Sequence, residues 1–305
     1  IATWPQNAEG YNRRSTVLMD MLRFDEADSD LKQYLALATD KETAHYNTAQ
    51  AIFNKLQLQA DAPYDKWNYD LVLSHIEQAK GNRAQMLKAQ VFVAMNNFDG
   101  ALGIYDSFLA VDTLRTPEIY YAQSQCREMR GDSLPLIIEP LDSAIAMFGN
   151  PTPKEAASFV LRRGQLLANN GKYREAVLEY NRYCYLMNNK VNAAFYYDRS
   201  QIEVNARMYQ QALDDIILAV SAAPNNALYR IEKAAICLRV NMLDECIEAC
   251  RYVTERTDRF PDAFRLLGYA LLQQGDKDGA LLNLNKAVEL GDKAAQEIID
   301  TYIKK

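Results

Sequence analysis

The sequence predicts an all-α fold of stacked antiparallel helix pairs, and three observations carry that prediction. Apolar residues recur at the i, i+3, i+4, i+7 spacing of a helix face and not in strand-like alternation. Only 12 glycines and 9 prolines punctuate the 305 residues, too few for the many tight turns of an all-β chain. A pattern of small and apolar residues also returns about every 34 residues, the length of two short helices and a turn.

In chain order the units open at Ala8, Glu42, Asn82, Pro117, Ala157, Ala193, Ala227 and Pro261, steps of 34, 40, 35, 40, 36, 34 and 34 residues. The first carries Ser15, Leu18, Ala27, Leu31 and Tyr34 at the repeating positions, and the second only Ala49 and Ile52. Ala89, Ala101, Tyr105 and Phe108 mark the third; Ser124, Gly131, Leu141 and Ala144 mark the fourth. Leu134-Pro135 and Glu139-Pro140 are expected to disrupt the second helix of that fourth unit. The fifth has Gly164, Gly171, Ala176 and Tyr180, and the sixth Ser200, Ala212, Ile216 and Ala219, closed by Pro224. Ala234, Cys246, Cys250 and Val253 define the seventh. The eighth is the clearest: Gly268, Ala280 and Ala287 let two helices approach, Phe264, Leu267, Leu271 and Leu284 fill the space between, and Gly275-Asp276 makes the turn. A final segment, 291–305, reads as a capping helix with Ala295, Ile298, Ile299, Tyr302 and Ile303 on one face. Residues 1–7 precede the array as an extended segment, and the repeats occupy 8–290.

A step of 34 with small residues at the eighth, twentieth and twenty-seventh positions resembles the tetratricopeptide repeat (TPR) family. The resemblance implies a right-handed superhelical solenoid of about eight helix hairpins and a C-terminal capping helix. Without the family name the physics is the same: each pair exposes an apolar face that only its neighbour covers.

Composition and motifs exclude several function classes. With 34 basic against 40 acidic residues the net charge is −6, which disfavours nucleic acid, since phosphate binding needs clustered cations. No stretch approaches a membrane-spanning length. The chain starts at Ile1, which points upstream to a cleaved signal segment or a boundary, and the periplasm or cell envelope is favoured over the cytoplasm. No nucleophile elbow, phosphate loop or dinucleotide turn is present, so the chain is expected to be no enzyme and to need no cofactor. The two histidines, His45 and His75, fall in one hairpin that could bring them together, but without metal-site spacing. Five cysteines with no C-x-x-C pair argue against disulfides and zinc; Cys237, Cys246 and Cys250 sit where small apolar residues belong.

The resemblance implies that the first helix of each hairpin lines a concave groove. Its ninth position is Gln in five consecutive repeats: Gln50, Gln90, Gln125, Gln165 and Gln201. Tyr46, Tyr121 and Tyr197 stand one turn before three of them. A Gln offers two donors and an acceptor, suited to an extended peptide backbone, and Tyr adds flat apolar area at small entropy cost. A structural ladder of Gln bonded to Gln is the competing expectation. A second surface candidate is the aromatic cluster Tyr64, Trp67 and Tyr69, which either packs on the next hairpin or forms a protein or sugar platform. The sequence therefore points to a scaffold binding a protein or peptide partner, with a cell-envelope glycan-binding protein as the alternative. It leaves the oligomeric state open.

Overall fold

The computed structural model describes residues 5–58 and 66–303, the side chains of 66–68 excepted. Among the described residues there are seventeen α-helices and no strand. The chain divides into two compact units, Ile1–Met147 and Phe148–Lys305. The first holds the hairpins α1 (Ala8–Asp20) with α2 (Phe24–Leu37), α3 (Lys41–Leu58) with α4 (Lys66–Gln78), α5 (Asn82–Ala94) with α6 (Phe98–Leu109), and α7 (Pro117–Arg130) with α8 (Leu134–Met147). In the second, a 3-10 turn (Lys154–Ala156) leads into α9 (Ala157–Asn169) and α10 (Tyr173–Leu186). Then come α11 (Ala193–Asn205) with α12 (Tyr209–Ala222), α13 (Ala227–Arg239) with α14 (Leu243–Thr254), and α15 (Pro261–Gln274) with α16 (Lys277–Glu289). The short α17 (Lys293–Ile298) runs on into a π turn at Ile299–Ile303. Within each unit every second helix packs on its own partner and on the first helix of the next hairpin.

Small residues explain how closely the helices approach. Ala27, Ala101, Ala176, Ala212, Cys246 and Ala280 are wholly buried between the helices of their hairpins. At Gly268 a Cβ would stand 2.7 Å from Leu284 Cγ and 3.0 Å from the Ala280 carbonyl oxygen, so α15 and α16 meet only because no side chain intervenes. At the open end, Ala295 and Ile299 bury against Phe264, Leu284 and Ala287, and Asp292 caps α17 by accepting from the Ala294 and Ala295 amides.

The turn inside seven hairpins has one design. Leu22, Asn96, Gly131, Gly171, Arg207, Asn241 and Gly275 all adopt positive φ, each fifteenth in its unit. The next residue's amide reaches back to a carbonyl near the helix end: Arg23 to Leu18, Met208 to Glu203, Asp276 to Leu271. Such left-handed residues satisfy carbonyls that the helix end leaves unpaired. Glycine or asparagine suits the position; Leu22 and Arg207 hold it against their own Cβ.

The second helix of the fourth hairpin departs from the sequence expectation. Pro135 and Pro140 do not break it: α8 runs unbroken over Leu134–Met147 with Pro140 buried inside. Pro135 lies in the first turn, where its missing N–H costs nothing. Pro140 leaves the Leu136 carbonyl without its amide, and the Arg127 guanidinium of α7 donates to that oxygen at 2.7 Å. Ser124 donates to the neighbouring Ile137 carbonyl at 2.6 Å. The partner helix supplies what the proline removes.

Three hairpins share an ion pair that sequence reading passed over. Arg14 with Asp30, Arg163 with Glu179 and Arg199 with Asp215 join first to second helix at one spacing of sixteen residues. Arg199 holds Asp215 through two bonds of 2.5 and 2.6 Å, with the two side chains only 13% and 6% exposed. The Arg14 side chain is 51% exposed, so water screens its bond.

Candidate ligand-binding surface

A concavity of the first unit lies between α3 and α5. It is a pocket of about 260 Å³ lined by Tyr46, Gln50, Asn82, Arg83, Met86, Leu87 and Gln90. Three of the eight groove residues expected from the sequence, Tyr46, Gln50 and Gln90, thus meet in one place. They do so because positions one turn apart on α3 share a face, which α4 and α5 pack against from the other sides. Arg83, Met86 and Asn82 complete the lining and were not singled out in the sequence. Their signal was readable: Met86 stands four residues before Gln90, as Tyr46 does before Gln50, and Arg83 lies one turn earlier still.

The chemistry of this pocket is mixed. Met86 and the buried Leu87 give an apolar wall, while Gln50, Gln90 and Asn82 offer amides. The Arg83 guanidinium lies 5.3 Å from the centre of the Tyr46 ring, and among the described residues no carboxylate pairs with it. Gln50 donates to Asn54 at 2.9 Å, a bond along its own helix. No hydrogen bond joins Gln50 to Gln90 or Gln90 to Gln125 among the described residues. Tyr121 and Gln125 sit on α7, the first half-buried and the second exposed, outside this pocket.

In the second unit the same positions fall on α9 and α11. Gln165 is half-buried. The Gln201 Nε2 is buried and has no hydrogen-bond partner, an unmet donor on the inner helix. Tyr197 stacks on Tyr229 with ring centres 4.9 Å apart and planes at 28°, and burial raises its phenol above the usual tyrosine value. Of the aromatic cluster, Tyr64 and the Trp67 side chain lie outside the described residues. Tyr69 is half-buried against the core formed by Ala49, Phe53 and Val72.

Two other groups bear on chemistry. All five cysteines are free and buried, and burial holds Cys126 and Cys237 at about 11, so they remain protonated thiols. Among the described residues no three His, Cys, Asp or Glu side chains gather as a metal cage, and no helix is long and apolar enough to cross a membrane.

Fold and surface together define an α-helical hairpin-repeat protein. The sequence model of the tetratricopeptide repeat family matches residues 238–295, and helix hairpins lie on either side of that match. No curated protein matches the chain. Among solved structures, MamA from Desulfovibrio magneticus RS-1 is 22% identical, with 57% of this chain covering 94% of that one at a TM-score of 0.49. YrrB, described as a TPR protein with an unusual peptide-binding site, is 18% identical over 83% of this chain and 98% of its own, at 0.45. A tetratricopeptide repeat protein from Parabacteroides merdae ATCC 43184 is 15% identical over 96% and 97%, at 0.43.

Proposed function

We propose that the chain is a non-enzymatic protein–protein interaction scaffold that binds an extended peptide along the first helices of its hairpins, through Gln50, Gln90, Gln125, Gln165 and Gln201, with Tyr46, Tyr121 and Tyr197 as anchors. The observation that carries the reading is the pocket between α3 and α5, where an anchor tyrosine, two of the glutamines and an apolar wall converge. Amides that bond neither to each other nor across helices keep donors and acceptors for a ligand backbone. Arg83, a cation without a carboxylate partner among the described residues, gives this subsite a preference for an acidic side chain flanked by aliphatic ones.

The test is selection of end-blocked peptides from a random display library on the intact chain, followed by calorimetric titration of the best binder. Peptides carrying Asp or Glu beside aliphatic residues are expected. Tyr46→Ala weakens binding by about tenfold or more, the loss expected of a buried aromatic anchor. Arg83→Ala removes the acidic preference while sparing part of the affinity. Selected peptides that bind Tyr46→Ala, Gln50→Ala and Gln90→Ala variants as well as the parent would defeat the proposal.

A further inference from the structure

The chain has only two histidines, and the fold sets them against each other. His45 of α3 and His75 of α4 face through their Nδ1 atoms at 2.9 Å, both half-buried. Their ring centroids stand 5.2 Å apart, a separation that places the two facing nitrogens close to the line between the rings. Head-on nitrogens at that distance share one proton: one imidazole donates N–H and the other must accept with a lone pair. The bond therefore exists only while at least one ring is neutral. A second proton turns the contact into two cations pressed together in a partly desolvated place.

Among the described residues no carboxylate is hydrogen-bonded to or ion-paired with either imidazole. On α3, Glu42 is engaged with Lys80, and Lys41 donates to the Leu35 and Ala36 carbonyls. From α2, Asp28 is held by Lys55; from α5, Arg83 lies over Tyr46 and Lys88 over Phe92. The charged neighbours on α4 itself, Asp70 and Glu77, are exposed, as is Lys32 of α2. Burial first, and the neighbouring His45 second, push the His75 imidazole below the ordinary histidine value.

We propose that the His45–His75 pair is a proton-dependent staple that holds α4 on α3 near neutral pH and lets go as the medium acidifies, loosening the pocket between α3 and α5. The coupling is short: Tyr46 follows His45 directly, and Gln50 lies one turn further along the same helix. Because the folded state resists protonation of His75, the staple is complete above the unfolded histidine value of about 6.5. It is lost as pH falls from there through the depressed folded value. The regulatory part of this inference rests on the reading of the pocket as the ligand site; the staple itself does not.

The experiment uses the intact chain without ligand, so failure of the staple and failure of the pocket to take a peptide remain separate results. With two histidines, the imidazole Cε1–H NMR spectrum holds two resonances to follow from about pH 8 to pH 5. Expected are coupled, non-independent titrations with one imidazole below the ordinary value. Amide exchange in α3 and α4, corrected for intrinsic rate, should speed up by about tenfold across that window, and the Tyr46 and Gln50 amide shifts should move with it. His75→Gln keeps a neutral hydrogen-bonding group and should abolish the pH response of α3 and α4 while remaining folded at pH 8. Two independent titrations near the ordinary value would overturn the proposal. So would a pH response that persists unchanged in His75→Gln, or a staple that opens with the Tyr46 and Gln50 shifts unmoved.

Discussion

Glu203 shows how one residue can set a pH slope for the molecule. It occupies a core position of α11, 3% exposed, with its Oε2 atom lacking a partner. Burial first, and the Asp215 charge second, raise its carboxyl to about 8 despite the lowering pull of Arg199. The folded state therefore holds a proton that the unfolded chain releases above its ordinary value near 4.5. Stability from this group is full below that value, falls as pH climbs towards about 8, and is level beyond. Glu203→Gln, a neutral near-isostere, should flatten the slope and stabilise the second unit at alkaline pH, by about 1.4 kcal/mol per unit of displacement removed. Urea melts at several pH values decide it; an unchanged slope means Glu203 is ionised when folded. A second residue-level prediction concerns the left-handed turn. Arg207→Gly removes the Cβ conflict and should gain about 1 kcal/mol, whereas Gly275→Ala should lose a similar amount.

Helices and hairpins were legible to different degrees. The all-α class could be read because small residues return at fixed positions and the packing that demands them is local, as the wholly buried Ala27, Ala212 and Ala280 show. Continuity of α8 could not be read, because the group that offsets Pro140 comes from Arg127, on another helix. Arg127→Ala should cost at most about 1 kcal/mol by leaving the Leu136 carbonyl to water, and less in a Pro140→Ala background, where the amide returns. Equal costs in both backgrounds would show that Arg127 acts elsewhere. The repeated Arg–carboxylate pairs were also missed, although their sixteen-residue spacing is in the sequence, because exposed charges on helices are ordinarily uninformative. Burial separates them. Arg199→Met should destabilise by about 3 kcal/mol by stranding Asp215, and by more than Arg14→Met, whose half-exposed guanidinium water already screens, both measured by denaturant melts. Of the candidate site, the column of glutamines was legible as a pattern. Which of them share a pocket was not, since that depends on neighbouring side chains such as Arg83 and Met86.

At the scale of the whole molecule, a chain built of hairpins in two compact units has no reason to melt in one step. Denaturation followed by helix signal should deviate from a single two-state transition, and Glu203→Gln should move only the part contributed by the second unit. One coincident transition for every probe, displaced as a whole by that substitution, would contradict this. The five buried thiols make the point accessible without any label. Cys126 belongs to the fourth hairpin, Cys184 to the fifth, and Cys237, Cys246 and Cys250 to the seventh. An enclosed sulfur reacts with a disulfide reagent only in the moments when its hairpin opens. The chain thus carries its own clocks at three stations along its length. The order in which those sulfurs are consumed under native conditions is the order in which the array comes apart, and oxidative damage should follow the same itinerary.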